Sequence, residues 1–144
     1  MSAESIFTLC GMIVLPGWLL MAFLPRWRPG ATLIAPVIIP AILGLIYAWL
    51  LFTQMGTTDG GFGNLAGVRE LFSNDFLLLA GWIHYLAFDL FIGSWEVRDA
   101  QRLGIPHWLV IPCLFMTLML GPLGLLLYLA FRIGWKRRYF LGLG

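Results

Sequence analysis

The chain has 144 residues, 60% of them hydrophobic and only 11% charged, with a formal net charge of +2. So little charge cannot cover a soluble domain of this length, and a balance this near zero leaves no electrostatic footprint for nucleic acid. Two cysteines and two histidines without ligand spacing argue against a disulfide framework, a zinc centre or a bis-histidine haem, so neither a metal nor a cofactor is expected.

Four apolar stretches stand out, at 6–24, 31–52, 76–95 and 108–131. Each approximates the helix needed to cross ~30 Å of hydrocarbon. The prediction is an all-α membrane protein, a four-transmembrane-helix bundle forming one domain over 1–144. Its helices are expected at about 6–24, 31–52, 76–103 and 107–131, followed by a basic tail at 132–144.

The first stretch lacks the marks of a signal peptide. Met1-Ser2-Ala3-Glu4 has no basic residue, and Leu24-Pro25-Arg26 has no small-residue cleavage site, so a retained helix is expected. Pro25, Pro29 and Gly30 then predict a tight turn into helix two. The connection from Gln54 to Asp75 holds Gly56, Gly60, Gly61, Gly63 and Gly67, which predicts an irregular or partly mobile loop. Ser73, Asn74 and Asp75 offer caps for helix three. Nothing breaks that helix before Gly104, and Pro106 can open helix four. Pro112 and Pro122 fall inside helix four and free carbonyls near Trp108 and Leu118.

Four crossings would put both termini on one side. Arg69, Arg132, Lys136, Arg137 and Arg138 would then face Arg26, Arg28, Arg98 and Arg102 on the other, a balance that does not orient the chain. The tail, with Trp135, Tyr139 and Phe140 among its basic residues, reads as an interfacial anchor for anionic lipid and places both termini in the cytoplasm.

The chemistry is concentrated on helix three. Asp89 lies within the apolar run 76–95, with His84 five positions before it. An ionisable group at membrane depth costs roughly 2.5 kcal/mol or more and seldom stays without a partner or a task. Tyr85 and Asp89 stack as an i, i+4 pair, in line with Gly81 and Gly93 and close to Glu96. His84 shares another face with Phe88, Phe91 and Trp95. The offset between His84 and Asp89 is roughly 140° around the helix and ~7.5 Å along it. The candidate catalytic residues are therefore Asp89, His84 and Tyr85. By depth, the Leu118 carbonyl is the expected partner of His84, while Tyr85, a water, Arg98 or Arg102 could serve Asp89. Trp82, Phe88 and Phe91 are deep enough to line a hydrophobic ligand cleft, whereas Trp27, Trp95, Trp108 and Trp135 fit an interfacial belt. The competing reading is that Asp89 locks helix packing and His84 is a satisfied core residue.

The stretch G-W-I-H-Y-L-A-F-D-L-F-I-G at 81–93 follows Leu71-Phe72-Ser73 and precedes Gly104-Ile105-Pro106-His107, then Gly121-Pro122-Leu123-Gly124-Leu125-Leu126 and Arg132. This order resembles the neoxanthin-synthase-like, or abscisic-acid-deficiency-four-like, membrane family over nearly the whole chain. Met119-Leu120 departs from the pattern, standing where a Phe is usual before Gly121-Pro122. The resemblance implies a role in carotenoid metabolism, since plant members are needed to turn the epoxide violaxanthin into the allene neoxanthin, and bacterial members occur where neoxanthin is not made. It implies an integral, multi-pass protein of a bacterial inner membrane or a photosynthetic membrane. A carotenoid ligand would lie against Trp82, Phe88, Phe91, Gly121 and Pro122. Epoxide opening needs an acid at the oxygen and a base for a carbon-bound proton, and Asp89 and His84 supply these types.

Two functions follow from different classes. One is a carotenoid-binding protein that acts as an isomerase. The other is a non-catalytic small subunit of a pigment-protein or transport complex. The expected partners are the lipid bilayer, a carotenoid, and either a further copy of the chain or a larger membrane complex. A proton or ion carrier is less well supported, because one Asp and one His do not make a relay.

Overall fold

The computed structural model describes residues 1–136. Of the basic tail expected at 132–144, residues 137–144, with Arg137, Arg138, Tyr139 and Phe140, lie outside the described residues. Helix α1, Ala3–Phe23, starts where the Ser2 side chain accepts from the Ser5 N–H. A π-helical segment, Gly30–Ile38, follows and runs into α2, Ile39–Gln54. Pro36 and Pro40 supply no N–H here, and the Ile39 N–H reaches back five residues to the Ile34 carbonyl, so the wider turn absorbs the missing donors.

The glycine-rich connection is more ordered than its composition predicts. It contains α3, Leu65–Leu71, because the Asn64 carboxamide caps the Gly67 N–H at 2.8 Å. Helix α4 then spans Asp75–Leu103 without a break. The Asn74 side chain accepts from the Phe76 and Leu77 N–H groups at its start. At its end Gly104 takes φ +63°, and the Ile105 N–H bonds the Ala100 carbonyl at 2.8 Å in a Schellman closure.

The fourth predicted helix is not one element. It divides into α5, His107–Leu120, and α6, Pro122–Lys136, on either side of Gly121. Pro122 disfavours helical backbone in the residue before it, and Gly121 adopts φ +37°, ψ −92°, which continues neither helix. The chain reverses there. Thr117 and Gly124 are in direct backbone contact across the break, and Arg132 bonds Asp99 near the far end of α4. A continuous helix antiparallel to α4 could bring neither pair together.

Helix α4 is the hub and touches α1, α2, α5, α6 and the π segment. Its buried residues Ile83, Leu90 and Val97 pack with Cys10 and Met21 of α1, Leu43 of α2 and Cys113 of α5. Outward faces are just as apolar: Leu45, Phe52 and Phe115 are all exposed. Helices apolar on every face suit a lipid surround. Three helices, Ala3–Phe23, Gly30–Gln54 and Asp75–Leu103, are long and apolar enough to cross a membrane. Helices α5 and α6, of 14 and 15 residues, reach only ~21–23 Å and fall short of a full crossing.

Candidate functional site

Helix α4 presents three chemically distinct places. The first is a slot against α2. Its lining is Pro40, Leu43, Gly44, Tyr47, Ile83, His84, Ala87, Phe88 and Phe91, around a cavity of about 310 Å³. A second cavity of about 290 Å³ adjoins it towards Phe62, Phe72 and Leu77, and the two share Tyr47 and His84. The His84 imidazole stacks on Phe88 with ring centroids 4.4 Å apart, and the Tyr47 ring stands 5.9 Å away. His84 and Tyr47 are the only titratable side chains in either lining. The slot therefore gathers His84, Phe88 and Phe91, three of the residues singled out by sequence, and adds Tyr47, which was not.

The second place lies on the opposite side of α4, against the tip of the α5–α6 hairpin. The Tyr85 hydroxyl donates to the Leu118 carbonyl at 2.9 Å. That carbonyl was the expected partner of His84, but Tyr85 is the residue rotated towards the hairpin. Asp89 sits one turn further along. A methyl group on Gly121 would come within 2.9 Å of its Oδ1. Its Oδ2 is buried and has no hydrogen-bond partner among the described residues. Trp82 stacks on Tyr85 at 5.1 Å and meets Phe7 of α1 at 5.8 Å, so a ladder of three rings leads up to Asp89. Trp82, Tyr85, Asp89, Gly121 and Pro122 thus belong to the hairpin side, and His84 does not join them.

The third place is a buried polar network further along α4. Glu96 is 0% exposed, and its Oε1 accepts from the Thr117 hydroxyl at 3.0 Å. Its Oε2 has no partner among the described residues. Asp99 Oδ2 accepts from the Tyr128 hydroxyl at 2.7 Å and from Arg132 Nε at 2.8 Å, while Oδ1 accepts from Arg102 at 2.8 Å. Arg98 donates instead to the Ser94 carbonyl. Neither Arg98 nor Arg102 turns inward to Asp89. The sequence signal for this network was available: Asp89, Glu96 and Asp99 fall at i, i+7 and i+10, and Tyr128 and Arg132 at i, i+4. Among the described residues no group of three or more His, Cys, Asp or Glu side chains is placed to hold a metal ion.

Among the described residues Thr117 is the sole side-chain donor to Glu96. Thr117→Val is expected to lower the stability of the protein in detergent by about 1–3 kcal/mol, because a buried carboxyl group loses its partner. Thr117→Ser should retain most of it. Equal thermal midpoints for the valine variant and wild type would mean that the bond contributes nothing.

The family described as ABA DEFICIENT 4-like matches residues 5–128. The chain belongs to this family. Its ABA DEFICIENT 4-like region runs from α1 into α6 and takes in the slot, the hairpin tip, Glu96, Asp99 and Tyr128, while Arg132 falls beyond it. The chain is also 29% identical over 105 residues to Protein ABA DEFICIENT 4, chloroplastic, of Arabidopsis thaliana, covering 67% of this chain and 48% of that protein. It therefore spans about half the length of this relative. No solved structure matches the chain.

Proposed function

We propose that this ABA DEFICIENT 4-like protein binds a carotenoid in the slot between α2 and α4 and isomerises it there. Family membership and the resemblance to neoxanthin-synthase-like proteins supply the substrate class. The observation that carries the chemistry is the pairing of His84 with Tyr47, 5.9 Å apart by ring centroid in a slot otherwise lined by apolar groups. From Leu77 to Phe91 the two cavities follow α4 for ~21 Å, which suits a long, flat polyene. Phe88 and Phe91 offer ring faces to such a chain, and His84 is held in orientation by its stack on Phe88.

For an epoxide-to-allene isomerisation, the His84 imidazole takes a carbon-bound proton next to the epoxide. The C–H electron pair becomes the new double bond, the C–O bond breaks, and the oxygen takes a proton from the Tyr47 hydroxyl. Proton return from His84 to Tyr47 restores both groups, with no net change in atoms or electrons. General acid–base contributions of this kind are ordinarily worth ~10²–10⁴-fold each.

In this reading the three long helices cross the bilayer and the α5–α6 hairpin dips in and returns on the side it entered. Asp89, Tyr85, Gly121 and Pro122 then form the contact between α4 and the hairpin tip. One observation favours a second reading. The Phe7–Trp82–Tyr85 ladder ends at Asp89, so a ligand end group seated beneath the tip would meet Asp89 as its acid.

The test is carotenoid profiling of pigment-producing cells that express each variant at matched levels. His84→Ala and Tyr47→Phe are expected to cut conversion by roughly 100-fold or more, with Asp89→Asn close to wild type. The reverse pattern, with loss in Asp89→Asn and Trp82→Ala alone, selects the site beneath the tip. Unchanged profiles in all four variants would reject catalysis and leave the small-subunit function.

A further inference from the structure

The reversal at Gly121 redistributes the charge of the whole molecule. The turn after α1, the end of α4 and the end of α6 now share one end, bridged where Gln101 donates to the Pro25 carbonyl and His107 Nε2 to the Ala22 carbonyl at 3.0 Å. Arg26, Arg28, Arg98, Arg102, Arg132 and Lys136 all belong to this end by position. Among the described residues the opposite end holds a single basic residue, Arg69, with Glu4, Asp59, Glu70 and Asp75. Among the described residues six stand against one, where four crossings would divide the same seven four against three. Asp99 already engages Arg102 and Arg132, while Arg26 and Arg28 are exposed and form no salt bridge among the described residues.

A basin of about 670 Å³ opens at this basic end, between the α1 turn and the α4–α5 connection. Arg26, Trp27, Gln101 and His107 line it, beside the first turn of α5, which has no side-chain cap. Uncapped N–H groups at a helix start favour an anion. Trp27 is half-exposed at the rim, as an interfacial indole would be. The basin at the other end, about 560 Å³, carries Glu4 and Asp75 instead.

We infer that the basin between the α1 turn and the α4–α5 connection holds the headgroup of an anionic phospholipid, with Arg26, which lines it, recognising its phosphate and the exposed Arg28, two residues along, adding positive charge. The occupant follows from charge and position: a cation cluster at the rim of apolar helices meets the anionic face of a leaflet. The two exposed arginines give selectivity over a zwitterionic headgroup of the same size.

The full chain, purified in a neutral detergent, is offered phosphatidylglycerol or phosphatidylcholine, and retained lipid is counted by native mass spectrometry. Preferential retention of phosphatidylglycerol is expected, weakening as salt is raised. The double variant Arg26→Ala/Arg28→Ala should weaken that preference about thirtyfold, as two lost surface cations would. Arg26→Lys/Arg28→Lys should keep it, and Arg69→Ala should leave it unchanged. Equal retention of the two lipids by the wild-type chain overturns the proposal. So does a loss in Arg69→Ala as large as in the double alanine variant, or a loss in the lysine variant whose thermal midpoint is unaltered.

Discussion

Asp99→Leu is expected to destabilise the protein by about 3–5 kcal/mol, the range for removing one partner of a buried charge pair. Asp99 is 4% exposed and Arg132 1%, so the guanidinium loses this carboxylate in a buried setting. Tyr128 would lose its acceptor in the same step. Because Tyr128 and Arg132 both lie on α6, the damage should fall on the docking of α6 against α4. Arg102→Ala, whose side chain is 43% exposed, should cost no more than ~1 kcal/mol, since water already screens that pair. The companion change is Arg132→Met. If the loss arises from a buried guanidinium deprived of its Asp99 carboxylate, adding Arg132→Met to Asp99→Leu should recover much of it, and a double-mutant cycle by unfolding in detergent would read the coupling directly. Additive losses in the double variant would refute the charge argument and leave only packing.

The sequence carried α4 in full because each of its ends has a local chemical signal. Asn74 can cap, Gly104 can turn left-handed, and between them nothing interrupts the helix. The hairpin was harder. A proline within an apolar run kinks a helix in one context and ends it in another, and Pro112 and Pro122 look alike locally. What separates them is non-local: Gly124 lets α6 lie against Thr117, and Asp99 holds Arg132. The same reversal is what makes Glu96 and Asp99 a buried network. They stand in a charged run that reads as solvated once the apolar stretch ends, and only the returning α6 covers them. For Leu118, distance along the chain sets depth but not which face of α4 it meets. Its carbonyl lies at the depth of His84 and Tyr85, and the hairpin packs on the Tyr85 side. Tyr47 offered no clue, because its importance comes from the pairing of α2 with α4, which no spacing within one helix encodes.

Gly124→Ala tests that reversal at its tightest point. A methyl group there would collide with the Thr117 backbone N, its Oγ1 and its Cα. Backbone cannot rotate aside as a side chain can, so α5 and α6 must separate. Overpacking of this kind costs about 1–3 kcal/mol, and the displaced Thr117 hydroxyl would release Glu96 at a further ~1–3 kcal/mol. The expected sum is about 2–6 kcal/mol, enough to leave a small membrane domain largely unfolded in detergent at ambient temperature. Gly134→Ala is the matched control on the same helix. Its added methyl meets nothing within 4 Å, so helix propensity alone should act, adding up to ~1 kcal/mol of stability. Thermal unfolding followed by tryptophan fluorescence separates the two variants. Should Gly124→Ala melt at the wild-type temperature, α5 and α6 could not be packed backbone to backbone, and the chain would have to pass Gly121 as a kinked but continuous helix.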